Sequence, residues 1–209
     1  MSMLGRRALE VFNAAVDRGI EGLPPLSSSW ELAVSYLENR SFPSPDQRVD
    51  ALIRREARKN AFCTAVTNLG GVMTLPLAIP ANAYTSFAYQ ARLAASVALV
   101  YGHDIRSHKV RVLVGLSMAG RRAVDLLKTL GVRFTTMLLE RSAAQLSEKV
   151  LADIGTGVGV RMMAQGGEQA AGILLKAVPL ASAVVCGAID WNYCRAVGRV
   201  SQDIFRTAR

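Results

Sequence analysis

The sequence predicts an all-α protein with a single helical domain, and three observations carry that prediction. Apolar residues recur at helical spacing and seldom alternate. Glycine and proline cluster between the apolar runs, where they end helices, and nothing nearby supplies pairing strands or hairpin turns. Finally, the stretch from Asn60 through Ala91 holds no charged residue in a chain that is 20% charged, so a core, a membrane or a partner must hide it. At 209 residues and 51% hydrophobic, the chain is long enough for one domain with a sizeable core. The expected organisation is an N-terminal helical arm over residues 1–43, then a helical domain over residues 44–209 with two apolar hairpins bent at Pro/Gly elbows.

The elements follow in order. Leu9, Val11-Phe12, Ala15-Val16 and Ile20 share one helical face, and Gly22-Leu23-Pro24-Pro25 stops that first helix. Ser27 to Ser29 offer N-caps to a short helix from Trp30 to Leu37. Ser44-Pro45 with Gln47 reads as a capping box with proline at the first helical position, opening a long helix that passes through Arg54-Arg55-Glu56-Ala57-Arg58-Lys59 into the apolar stretch. Gly70-Gly71, Pro76 and Pro80 form an elbow, and a second apolar helix seeded after Pro80 runs to Tyr101-Gly102, where glycine supplies a left-handed cap. Ser107 caps a helix over Val110 to Met118. An amphipathic run from Arg141 to Ile154 and a glycine-rich passage from Gly155 to Gly172 come next. A final pair joined at Val178-Pro179 ends in a helix from Ala181 to about Thr207.

Leu75-Pro76, Ile79-Pro80, Gln90-Ala91-Arg92-Leu93 and Tyr101-Gly102-His103-Asp104, with Lys176 to Pro179, Cys186 to Asp190 and Arg195 to Arg199 downstream, resemble the EcsC family. The elbow is also similar to that of YcjF-like domains that accompany some GTPases. His103 stands where the family usually has an aromatic residue, and Ser107-His108-Lys109 where it tends to be acidic. The resemblance implies a helical accessory protein with a transporter or GTPase subunit as partner.

Charge narrows the function classes. Of the formal +9, residues 1–59 hold nine basic and eight acidic side chains, so the excess belongs to the apolar part. A positive, apolar surface suits anionic lipid better than nucleic acid, which would call for stacking platforms in a chain only 6% aromatic. Three cysteines, Cys63, Cys186 and Cys194, include no C-x-x-C pair, which argues for a reducing compartment and against a disulfide framework. The only histidines, His103 and His108, are far in sequence from Cys186 and Cys194, so no zinc site and no cofactor is expected. The N-terminus lacks the continuous apolar core of a signal peptide, and the apolar windows carry too many polar residues and prolines for a full span. The expected location is cytoplasmic, peripheral at the inner face of the plasma membrane.

Two motifs mimic catalytic ones. Gly115-Leu116-Ser117-Met118-Ala119 imitates a nucleophile elbow, but no histidine follows it, so a serine hydrolase stays a remote alternative. Gly155-Thr156-Gly157-Val158-Gly159 follows an amphipathic helix instead of a strand and reads as a hinge or close helix packing. The expected protein is therefore non-enzymatic and docks on an anionic membrane surface or lipid. Leu75, Pro76, Leu77, Ile79 and Pro80 form its apolar contact, and Arg54, Arg55, Arg58, Lys59, Arg121 and Arg122 its basic surface. Asn82, Gln90, Arg92, Asp104 and Asp190 are expected to form an internal polar clamp or to line a ligand, because amides and a guanidinium in apolar surroundings need partners. The alternative is a soluble interaction module for an ABC transporter or a GTPase.

Overall fold

A computed structural model describes residues 3–22, 24, 27–69, 75–119, 153–158, 160 and 179–207. Among these, side chains at 4, 5, 8, 66–69, 75–86, 179–183 and 186 are not described. The architecture is all-α: α1 (Met3–Glu21), α2 (Ser29–Leu37), α3 (Pro45–Leu69), α4 (Leu75–Val100), α5 (His108–Met118) and α6 (Pro179–Thr207), with a helical segment at 153–158 before α6. Among the described residues there is no strand. Val110 to Val114 lies inside α5, as the helical reading expects.

Local chemistry sets the ends of these helices. Ser28 and Glu31 close a reciprocal capping box on α2. Ser44 Oγ accepts from the Gln47 N–H at 3.2 Å at the start of α3. At the end of α4, Gly102 takes φ +86°, its N–H reaches Leu99 O and the His103 N–H reaches Ala98 O, which is the paired bonding of a Schellman cap. One expectation is corrected: α4 begins at Leu75 and contains both Pro76 and Pro80, instead of starting after Pro80. A proline in the first turn gives up an N–H that has no helical partner there, and Pro80 gives up only the bond to the Pro76 carbonyl.

α4 is the axis of the molecule. From Phe87 to Tyr101 nearly every position is buried, and α1, α2, α3, α5 and α6 all pack on it. A helix apolar on all sides has to be enclosed in this way. Helices of the 1–43 segment supply Phe12, Ala15, Val16, Leu32, Ala33 and Tyr36 to the same core cluster as Leu52, Leu93, Val114 and Phe205. Close approach is bought with glycine at two crossings. A Cβ on Gly19 of α1 would stand 2.6 Å from Arg92 N and 2.7 Å from Ala88 O of α4, and one on Gly115 of α5 would overlap the Phe12 ring. Gly155, in the 153–158 segment, packs closely on Leu9 and Phe12.

α3 and α6 run antiparallel along most of their length. Asp46 pairs with Arg206, Asp50 with Arg199, Ile53 lies against Gly198, and Ala61 against Gly187. Most of these polar rungs are exposed, so each ion pair contributes at most about 1 kcal/mol. Their value is in fixing register. Of the two expected hairpins, α3 and α4 form the first, while its 70–74 link and the helix preceding Val178 in the second lie outside the described residues.

The α1–α4 crossing gives a direct test of this packing. Gly19→Ala sets a methyl against main-chain atoms that cannot rotate away, and should lower unfolding free energy by about 2–3 kcal/mol in urea. Gly102→Ala meets nothing within 4 Å and should cost only the left-handed strain, about 1 kcal/mol. Equal losses would contradict the assigned crossing.

Candidate functional site

The chemistry of the described residues is concentrated in two places, a buried polar clamp and a surface at one end of α3 and α6. The clamp starts from the only charged side chain of α4. Arg92 is 3% exposed, and each nitrogen of its guanidinium has a partner: Nη1 donates to Glu56 Oε2 at 2.8 Å, Nε to Ser27 O at 2.6 Å and Nη2 to Ser27 Oγ at 2.9 Å. Glu56 on α3 is 0% exposed. Its Oε2 also accepts from the Tyr89 hydroxyl at 2.8 Å, while its Oε1 faces the Lys59 ammonium at 3.2 Å. Burial pushes the Glu56 carboxyl up, but Arg92 above all, with Tyr89 and Lys59, outweighs it and holds the pKa below the usual carboxylate range. Burial and the neighbouring Glu56 carboxylate push the Tyr89 hydroxyl far above its ordinary value, so it stays a protonated donor.

The serines between α1 and α2 extend the clamp. Ser27 holds Arg92, Ser28 caps α2, Ser29 Oγ donates to Ile20 O in α1, and Ser96 Oγ of α4 donates to Ser29 O at 2.9 Å. The Glu56–Arg92 ion pair with Ser27, Ser29 and Ser96 therefore ties α1, α2, α3 and α4 together.

Only part of the expected clamp is assembled this way. Gln90 and Arg92 are buried as expected, but the carboxylate facing Arg92 is Glu56, and neither Asp104 nor Asp190 takes that role. Asp104 is exposed and accepts from the Arg106 N–H in a local turn. Asp190 reaches across to α3, where Thr64 Oγ1 donates to its Oδ2 at 2.5 Å, and burial raises its pKa against the Thr64 bond. The Asn82 side chain lies outside the described residues. Burial also raises the Cys194 thiol to about 12, which leaves it a protonated core residue. Ser117 is fully buried inside α5 and donates to Leu113 O at 2.8 Å, so it sits on no strand-to-helix turn and its hydroxyl is closed to a substrate.

The second place is the outward face of α3 and the adjoining end of α6. Arg54, Arg55, Arg58 and Lys59 are exposed, and with Ala51 they line a shallow depression. One helical turn further, Phe62 is 70% exposed on the same stripe as Arg54 and Arg58. Across the helix pair, at the level where Gly187 meets Ala61, α6 exposes Val184 at 71%, Val185 at 48% and Ile189 at 60%. Sequence reasoning found the basic residues and missed these apolar ones. The backbone of Leu75, Pro76, Leu77, Ile79 and Pro80 opens α4, with their side chains outside the described residues, as are Arg121 and Arg122. Among the described residues, no helix is long and apolar enough to cross a membrane, and no group of His, Cys, Asp or Glu could hold a metal ion. Compared with known protein families, curated proteins and solved structures, the chain matches none.

The clamp makes a quantitative prediction. Glu56→Met leaves Arg92 buried without its carboxylate and should cost about 3–5 kcal/mol, and Arg92→Met should cost a similar amount. The double variant should lose less than the sum of the two by about 2 kcal/mol in urea titrations. Because the folded-state pKa of Glu56 is depressed, its contribution is present above the ordinary carboxylate range and is lost as pH falls through the lower folded value. The deficit of Glu56→Met relative to the unmodified protein should accordingly shrink in acid. Simple additivity and a pH-independent deficit would contradict the clamp.

Proposed function

We propose that the protein is a non-enzymatic peripheral membrane protein of the cytoplasmic side, which docks on anionic lipid through the face of α3 and the adjoining end of α6. The observation that carries this reading is the succession along one helix face of exposed Arg54, Arg55, Arg58 and Lys59 and then exposed Phe62, with Val184, Val185 and Ile189 exposed at the same end of the neighbouring helix. Singly exposed apolar residues are ordinary. Four of them gathered at one end, beside four cations, fit a bilayer interface, where aliphatic and aromatic side chains enter the headgroup boundary while arginine and lysine meet phosphates. The uncharged stretch that begins at Asn60 continues from this same end, and α4 opens there with Leu75 to Pro80, the apolar contact expected from sequence. The resemblance to the EcsC family belongs to this proposal, and a membrane-bound transporter partner is compatible with it.

Flotation with purified protein tests the reading. Vesicles containing anionic lipid should capture the protein at low salt, capture should fade toward 0.5 M salt as the roughly 10 Å Debye length at 0.1 M shrinks, and neutral vesicles should capture little. Phe62→Asp should weaken capture at least about tenfold with little change in melting temperature, because the side chain is exposed. Failure of all vesicles, with a protein retained specifically on α3 in pull-downs, would replace the lipid by a protein partner.

A further inference from the structure

Among the described arginines, four are held in ion pairs, and of the others three stand together on α3. Arg92, Arg111, Arg199 and Arg206 are each paired with a carboxylate, Glu56, Asp17, Asp50 and Asp46 respectively. Arg54, Arg55 and Arg58 are in no ion pair among the described residues, although Arg55 also bonds the Tyr36 hydroxyl. These three, Lys59 and Ala51 line one depression. Three guanidinium groups in no ion pair among the described residues, beside an ammonium shared with Glu56, line this hollow and make it a candidate anion receptor. Its geometry favours an acceptor with several terminal oxygens, since each fork can take two.

Resting on the membrane-surface reading above, we propose that this depression is a headgroup site for a lipid phosphomonoester. A phosphomonoester presents three terminal oxygens and up to two negative charges, whereas a phosphodiester in a bilayer presents two oxygens and one charge. The former offers three arginines one more terminal oxygen and up to one more negative charge. Position on the helix favours a lipid over a free anion: Arg58 and Phe62 are four residues apart on one face, about 6 Å along the axis. A headgroup held at Arg54, Arg55 and Arg58 therefore brings its acyl chains beside Phe62. Lys59 contributes part of its charge here, because it also faces Glu56 at 3.2 Å.

The test uses the full chain and phosphatidylcholine vesicles doped with either phosphatidate or phosphatidylglycerol, adjusted to equal electrophoretic mobility so that surface potential is the same. The expected result is an apparent Kd about tenfold lower on phosphatidate, the scale of one added charge-assisted hydrogen bond. The triple variant Arg54→Lys/Arg55→Lys/Arg58→Lys keeps the charge and removes the forks, and it should bring the two affinities within about a factor of two; its melting curve checks that it is folded. Equal affinity of the unmodified protein for both vesicles would overturn the headgroup site while leaving the membrane reading in place. A preference that survives the lysine variant would overturn the assignment to the guanidinium groups. Capture by neither vesicle would overturn both the site and the reading on which it rests.

Discussion

The buried pair of Glu56 and Arg92 is the constraint on which the rest of the structure depends. Taking two charges out of water costs several kcal/mol each, and the mutual attraction offsets that only if the remaining donors and acceptors are satisfied. Here Ser27 takes two of the guanidinium bonds, while the Tyr89 hydroxyl donates to one carboxylate oxygen and the Lys59 ammonium faces the other. Satisfying them requires α3, α4 and the α1–α2 loop in one relative position. A purely apolar α4 could rotate or slide among its five neighbours at modest cost. The pair removes that freedom, and with it fixes which face of α3 is left to solvent.

That consequence links core to surface. Glu56 points inward with Val49, Leu52, Ile53 and Ala57, so Arg54, Arg55, Arg58 and Lys59 are turned outward on the same turns. The antiparallel seating of α6, held by Gly198 against Ile53 and Gly187 against Ala61, then sets Val184, Val185 and Ile189 at the end of α3 that carries Phe62. The basic and apolar exposures are the outer side of the inner packing. Lys59 belongs to both, with one contact to the buried carboxylate and an ammonium half-open to solvent.

Much of this was legible in the sequence, and the limits have physical causes. Helical periodicity predicts the elements, and residue chemistry predicts their ends: Gly102 for a left-handed cap, Ser44 with Gln47, and the serines before Trp30. The need of Arg92 for a partner was legible as well, because an isolated guanidinium in an apolar helix has no other solution. The identity of that partner was not. Glu56 sits among four cations in sequence and reads as part of a solvated basic run, although its spacing from Val49, Leu52 and Ile53 places it on the apolar face. Asp190, expected in the clamp with Arg92, meets Thr64 of α3 instead. Pairings of this kind depend on the register between helices, which one helix's own periodicity does not contain. The exposure of Phe62, Val184, Val185 and Ile189 escaped for the same reason, since an apolar residue's burial depends on what its neighbour covers.

The most direct test of the account is amide hydrogen exchange of the full chain with and without anionic vesicles. Docking through the assigned face predicts slowed exchange confined, among the described residues, to about 54–65 of α3 and 184–192 of α6. The α1–α2 loop and the core of α4 should be unchanged, because the clamp already holds them. Protection centred on α2 or α5, or none at all in the presence of bound vesicles, would contradict it.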